Sequence, residues 1–255
     1  TGSVGEFYNL NWNEHKRLIK ALMDEVKSSV VTIVGCSGVN AEEAIMKVKF
    51  AEECGADAVM NVVPFYVALS LKECVKYYRE VAEACPNIGI VAYNNPNTTK
   101  VLLTEDVFKQ LENVPNFVGS KEIVTDFYHL MKLVRTTNLS YMHVDRLFVQ
   151  LMWLGGKGVF SGCACFKPEW VLEAYEAANN ARWKDADMIQ RKIHEVYDRT
   201  RALFAGYSEV AWYKTVINAF GFLNGGYPGR SYIDAPEDIK LKAKGVIEEI
   251  LFRET

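Results

Sequence analysis

Six short apolar runs, each followed by an amphipathic stretch, constrain the fold of this chain more than any other feature. The runs begin near residues 30, 57, 88, 116, 139 and 158. Val30-Val31-Thr32-Ile33-Val34-Gly35 and Asp57-Ala58-Val59-Met60-Asn61-Val62-Val63 are almost continuously apolar, the pattern of strands covered on both faces. Strands alternating with helix-length segments form βαβ units around a parallel sheet. The other strands are expected over 88–94, 116–122, 139–144 and 158–162.

The intervening segments carry helix signals. Asn13 can cap a helix to about Val26, with Lys16, Lys20 and Asp24 on its polar face and Leu18, Ala21 and Leu22 inward. Asn40-Ala41-Glu42-Glu43 resembles a capping box opening a helix to about Glu53, which Cys54-Gly55 ends. Ser70 can cap a helix through Ala84, stopped by Pro86. Further helices are predicted near 104–112, 126–136 and 146–154. Residues 167–252 read as mostly helical, with breaks around Gly206 and at Gly225-Gly226-Tyr227-Pro228-Gly229.

Two architectures satisfy this pattern, an open doubly wound sheet and a closed (β/α)₈ barrel lacking its first strands. No Gly-x-Gly-x-x-Gly or Walker-type loop supports a nucleotide-binding open sheet. A chain of 255 residues, 49% hydrophobic and 24% charged, suffices for one large core. The formal charge of −3 gives no basic footprint for nucleic acid. No apolar run approaches the roughly 18 residues of a membrane helix, and no signal-peptide pattern is visible. The six cysteines form no Cys-x-x-Cys pair, so reduced thiols and a cytoplasmic location are expected. Cys163 and Cys165 read as small core residues at a strand end, and no metal site is expected.

Within the strand at 116–122 stands Lys121, in Asn116-Phe117-Val118-Gly119-Ser120-Lys121-Glu122. Lysine is rarely buried unless paired. One reading is a structural lysine paired with Glu122 or another carboxylate. The other is a Schiff-base nucleophile whose amine is deprotonated by burial. One βα unit earlier, Tyr93 lies in Val91-Ala92-Tyr93-Asn94-Asn95-Pro96, where it is a core tyrosine or a proton carrier. Strand alternation puts Phe117, Gly119 and Lys121 on one face, and Val91 with Tyr93 on one face of the preceding strand.

Five segments in order carry a resemblance: Gly2-Ser3-Val4-Gly5-Glu6, Pro64-Phe65-Tyr66, Tyr93-Asn94-Asn95-Pro96, Gly119-Ser120-Lys121-Glu122 and Gly155-Gly156-Lys157-Gly158-Val159-Phe160-Ser161. They resemble motifs of the pyruvate-dependent class I aldolases typified by dihydrodipicolinate synthase and N-acetylneuraminate lyase. The resemblance spans essentially the whole chain. It implies an α/β (β/α)₈ TIM barrel whose first two strands are absent from this chain. It implies barrel elements over 1–166 and, over 167–255, closing helices with a C-terminal helical extension, as one structural unit.

The resemblance also implies a chemistry. Lys121 would form a Schiff base with pyruvate or another 2-oxo acid, with no cofactor beyond that covalent bond. Tyr93 would relay protons, and Tyr66 would reach a neighbouring subunit's site within a homotetramer built as a dimer of dimers. Gly2, Ser3 and Val4 would hold the pyruvate carboxylate, Val4 standing where the family has a second hydroxyl. Thr98, Asp145, Arg146, Phe160 and Ser161 would face the rest of the substrate. Thr98 replaces an arginine of the lysine-pathway synthases, and Arg146 replaces a glutamate of the sugar-acid lyases. These departures, a loose Tyr207-Ser208-Glu209 match and the aromatics Phe65, Tyr128, Phe160, Phe166, Phe204 and Tyr207 favour the hydratase-aldolase branch, which cleaves aryl-substituted pyruvates to an aldehyde and pyruvate. Condensation of pyruvate with an aldehyde, as in the synthases, and a non-catalytic 2-oxo-acid sensor or scaffold are the alternatives.

Overall fold

The computed structural model describes residues 2–26 and 29–253. It divides into two compact units, Thr1–His143 with Leu154–Lys157, and Val144–Trp153 with Gly158–Thr255.

The first unit carries β1 (Ile33–Gly35), β2 (Ala58–Asn61), β3 (Gly89–Asn94), β4 (Phe117–Glu122) and β5 (Ser140–Val144, whose last residue falls in the second unit). Each strand pairs in parallel with the next in chain order. The helices between them are α1 (Trp12–Val26, before β1), α2 (Ala41–Glu53), α3 (Leu71–Ala84), α4 (Pro96–Thr99), α5 (Glu105–Leu111) and α6 (Phe127–Thr136). The second unit holds α7 (Phe148–Leu154, apart from Leu154), β6 (Gly158–Phe160), α8 (Pro168–Asn179), α9 (Trp183–Arg201), α10 (Glu209–Phe220) and α11 (Glu237–Phe252). The α/β class and the six strands match the sequence reading. An eight-stranded closed barrel is not present among the described residues.

Local chemistry explains the best-defined boundaries. Ser70 and Glu73 form a reciprocal capping box on α3. Asn40 accepts from the Glu43 N–H at 2.8 Å to start α2. Asp126 accepts from the Tyr128 and His129 N–H groups to start α6. Each satisfies amide donors that a helix N-terminus leaves unpaired. Asp57 takes both the N–H and the hydroxyl of Thr32, at 2.8 and 2.9 Å, tying together the chain just before β1 and β2.

Five expectations are corrected. Asn13 lies inside α1 and does not cap it; Asn11 accepts from the Glu14 N–H at 3.1 Å and donates its own N–H to the Glu14 carboxylate at 2.9 Å. In α1 the buried residues are His15 and Ile19, while Leu18 and Leu22 are exposed. Two apolar stripes run along that helix, and docking selects the one containing Trp12, His15 and Ile19. β1 starts at Ile33 rather than Val30, because Val30 and Val31 lie in solvent. Cys163 and Cys165 occupy a 3₁₀ turn (Cys163–Cys165), not a strand end, and only Cys163 is a core residue, Cys165 being exposed. Phe117 does not share a face with Lys121. A β-bulge sets Phe117 opposite Ile90 but Gly119 opposite Val91, making Val118 the extra residue. Phe117 therefore turns to the helix layer, with its ring 5.5 Å from Tyr78 and 6.4 Å from Phe108. Bulges re-aim side chains in this way and are frequent beside active sites.

Candidate active site

β3 and β4 position the central pair. Beyond the bulge, Tyr93 is the register partner of Lys121, and Asn94 that of Glu122. Tyr93 is buried and Lys121 half-buried. The Lys121 Nζ lies 4.0 Å from the centre of the Tyr93 ring, within cation–π range. β4 approaches β5 so closely at Gly119 that a Cβ there would lie 2.0 Å from the Ser140 carbonyl oxygen. Only glycine fits that crossing, and it sits two residues before the lysine on the same face.

The N-terminal loop reaches this pair. A Cβ placed on Gly2 would stand 3.8 Å from Lys121 Nζ and 3.7 Å from Met60 Cε. Ser3 and Val4 are half-buried beside it. The loop closes through Glu6 N–H to Ser3 O at 3.1 Å, with Glu6 left-handed at φ 53°. Phe7 then packs edge-on against Phe65, ring centres 6.3 Å apart. Gly2 and Tyr93 thus both stand close to the Lys121 amine.

Tyr66 projects outward and is 87% exposed. The backbone beneath it is clasped by Lys100, whose ammonium donates to the carbonyls of Phe65 at 2.6 Å and Tyr66 at 3.1 Å. Lys100 ends α4 in the left-handed region, φ 60°. Thr98, half-buried on α4, donates its N–H to Asn95 O.

On the opposite face of the same strands lies a network that the sequence reading missed. Asn94 donates to Glu122 at 2.9 Å, Ser120 donates to Glu122 at 2.6 Å, and His129 Nε2 stands 3.7 Å from the same carboxylate. All four side chains are buried. The available signal was parity, since polar residues immediately follow both Tyr93 and Lys121. His143, also buried, has Nε2 at 3.1 Å from the Val124 carbonyl. A carbonyl only accepts, so that nitrogen carries the proton.

In the second unit Asp145 is almost fully buried. Its carboxylate accepts from the Ser161 hydroxyl, the Gly162 N–H (2.7 Å), the Cys163 N–H (3.3 Å) and the Tyr197 hydroxyl (2.6 Å). Its carbonyl accepts from Gln190 at 2.9 Å. Burial and the neighbouring Asp145 carboxylate hold the Tyr197 hydroxyl well above the ordinary tyrosine range. Gly162 is required there, because a Cβ would fall 2.4 Å from the Tyr213 hydroxyl. Arg146 is exposed and Phe160 half-buried. Of the predicted aromatics in this unit, Phe166 is buried against Phe220 (4.6 Å) and Tyr197 (6.2 Å), and Phe204 against Tyr207 (6.2 Å). In the first unit Tyr128 is exposed.

Among the described residues no cluster of three or more His, Cys, Asp or Glu is placed to hold a metal, and no helix is long and apolar enough to cross a membrane. The arrangement offers an amine over a phenol ring, with the N-terminal turn at Gly2 beside it.

Residues 1–250 match the dihydrodipicolinate synthetase family. The chain is 32% identical over 207 residues to a 4-hydroxy-tetrahydrodipicolinate synthase of Methanospirillum hungatei, covering 80% of this chain and 69% of that one. It is 34% identical over 211 residues to the synthase of the same name from Methanopyrus kandleri, covering 80% and 68%. A crystal structure of dihydrodipicolinate synthase superposes with a TM-score of 0.89 at 28% identity, over 98% of this chain and 85% of that one. The Escherichia coli K12 prophage protein YagE, solved in complex with pyruvate, shares the fold with a TM-score of 0.89 at 22% identity, over 98% and 85%.

Proposed function

The chain belongs to the dihydrodipicolinate synthetase family of pyruvate-dependent class I aldolases, and from that premise we propose that Lys121 forms a Schiff base with pyruvate to catalyse reversible aldol cleavage or condensation. The observation that carries the reading is the register pairing of Lys121 with Tyr93, Nζ 4.0 Å from the ring centre. The neutral amine attacks the ketone carbon and water leaves, giving an iminium. The iminium draws electrons from the adjacent methyl carbon, which loses a proton to become an enamine. The enamine carbon attacks an aldehyde, and hydrolysis returns the free lysine. In the cleavage direction the same bonds break in reverse order.

The Tyr93 hydroxyl is the proposed proton carrier, donating as water departs and recovering the proton later. The Gly2-Ser3-Val4 turn is proposed to hold the pyruvate carboxylate through backbone N–H groups and the Ser3 hydroxyl. Thr98 is proposed for the acceptor side; for the second unit the family resemblance proposes substrate-binding roles for Arg146, Phe160 and Ser161, with Asp145 acting through Ser161. Tyr66 is proposed to complete a neighbouring subunit's site in a dimer of dimers, a role suited to a clasped but exposed ring.

The proposed acceptor is aromatic, making the chain a hydratase-aldolase. Threonine at position 98 cannot make the bidentate contact that arginine makes with an acceptor carboxylate. Synthase-type condensation with an anionic aldehyde is the competing reading, favoured by the names of the relatives. The discriminating experiment follows deuterium entering the pyruvate methyl group, then screens aldehydes in the same assay. Exchange that is abolished in Lys121→Ala supports the enamine, and consumption of aryl aldehydes supports the aromatic acceptor. A protein that binds pyruvate without exchange is a sensor, and the enzymatic reading then falls.

A further inference from the structure

We propose that Asn94 and Glu122 are positioning residues that hold Tyr93 and Lys121 in reacting alignment from the far side of the sheet. The inference rests on the reading of Lys121 and Tyr93 as the reacting pair. Tyr93–Asn94 and Lys121–Glu122 are consecutive residues on neighbouring strands, and both pairs are in register. Successive strand side chains point to opposite faces. The pair that would react and the pair that is hydrogen-bonded are therefore back to back on the same two peptide units.

Asn94 is fully buried and hydrogen-bonded through both its amide nitrogen and its oxygen. Its amide donates to Glu122 Oε2 at 2.9 Å and to the Leu103 carbonyl at 2.9 Å, while its oxygen accepts the Leu103 N–H at 3.0 Å. One side chain thus ties β3 to β4 and also pins the segment that follows α4, the helix that carries Thr98. Glu122 is held in turn by the Ser120 hydroxyl, with His129 approaching from α6. Among the described residues His129 Nε2 has no hydrogen-bond partner, and the Glu122 carboxylate at 3.7 Å is within ion-pair range only. A buried carboxylate is costly unless it is hydrogen-bonded. This one follows the nucleophile in the chain, and its partners Asn94 and Ser120 share its face of the sheet.

The bulge at Val118 gives this tie a task. A one-residue slip turns every later side chain to the other face, and the register of β4 against β3 already changes once, between Phe117 and Gly119. The amide–carboxylate bond lies one residue beyond Lys121 and fixes the register after that change. A shift of about 1 Å in the Tyr93–Lys121 relationship is enough to lower turnover on the order of 100-fold.

The test measures kcat and KM for deuterium exchange into pyruvate, and the yield of borohydride-trapped adduct on Lys121, in the full chain and three variants. Asn94→Asp sets two carboxylates against each other. Asn94→Asp combined with Glu122→Gln restores the amide–carboxylate pair between the strands with donor and acceptor exchanged, and leaves only the Leu103 carbonyl without its donor. The expected result is a kcat loss in Asn94→Asp of roughly 10- to 100-fold, with KM and saturated adduct yield near parental, and recovery of most of that loss in the exchanged pair. Asn94→Ser, which removes the amide without adding charge, carries the same expectation for kcat and decides the matter if Asn94→Asp does not fold. Parental kcat in a folded Asn94 variant, a loss confined to KM, or no recovery in the exchanged pair overturns the proposal. Absence of both exchange and adduct in the unmodified chain is a separate outcome. It overturns the Schiff-base reading itself.

Discussion

Tyr93 and Lys121 are register partners on adjacent parallel strands, with the lysine Nζ 4.0 Å from the centre of the tyrosine ring. The ring and the hydroxyl can be separated experimentally. Tyr93→Phe keeps the aromatic face and removes only the proton carrier. Exchange into pyruvate is expected to slow by about 10²- to 10⁴-fold, while borohydride still traps pyruvate on the lysine. Parental exchange rates in this variant would remove the tyrosine from the proton path.

Gly119→Ala tests why glycine precedes the lysine. The added Cβ would lie 2.0 Å from backbone at Ser140, so the strands must part. A destabilisation of at least about 1–3 kcal/mol is expected from overpacking. Gly245→Ala is the control. Its Cβ would meet nothing within 4 Å, and it sits inside α11. Replacing glycine in a helix interior should stabilise by about 0.5–1 kcal/mol. Urea denaturation of both variants reads the opposite signs directly.

His15 supplies a pH dependence. Burial, and secondarily the Lys47 charge, lower its pKa from 6.5 to about 4. The folded chain therefore resists a proton that the unfolded chain accepts. Stability from this residue is fully present above pH 6.5, falls as pH drops from 6.5 towards 4, and levels below that. His15→Leu should flatten that portion of the stability–pH curve relative to the parent. Parallel curves for parent and variant would show that His15 titrates normally.

Asp145 is the anchor of the second unit's turn. Asp145→Asn keeps the shape but sacrifices an acceptor among four donors, the Ser161 and Tyr197 hydroxyls and the Gly162 and Cys163 amides. A loss of about 1–3 kcal/mol is expected. Tyr197→Phe should cost less, and the double variant less than the sum, because both act on one network. Strict additivity in denaturant unfolding would contradict a shared network.

Much of this was legible in the sequence where the cause is local. Ser70 with Glu73, and Asn40 with Glu43, specify helix starts within four residues, and the structure forms both. The positions of the six strands followed from the apolar runs, and the lysine motif one βα unit after Tyr93 pointed to the two sharing a pocket. What was not legible depends on docking. The face of α1 was misread because Leu18 and Leu22 offer as good a stripe as His15 and Ile19 until the helix is seated. The bulge at Val118 is invisible to a simple alternation count, so Phe117 was placed on the wrong face. Asn94 and Glu122, 0% exposed, looked like flanking residues of two motifs. Their bond exists only once β3 and β4 are in register.

The central claim, that Lys121 is a Schiff-base nucleophile, is tested most directly by incubating the protein with pyruvate and borohydride, weighing it intact and mapping the labelled peptide. The account predicts one reduced pyruvate adduct per chain, located on Lys121 and missing in Lys121→Ala. A folded protein that gains no adduct, or carries it on another lysine, would contradict it.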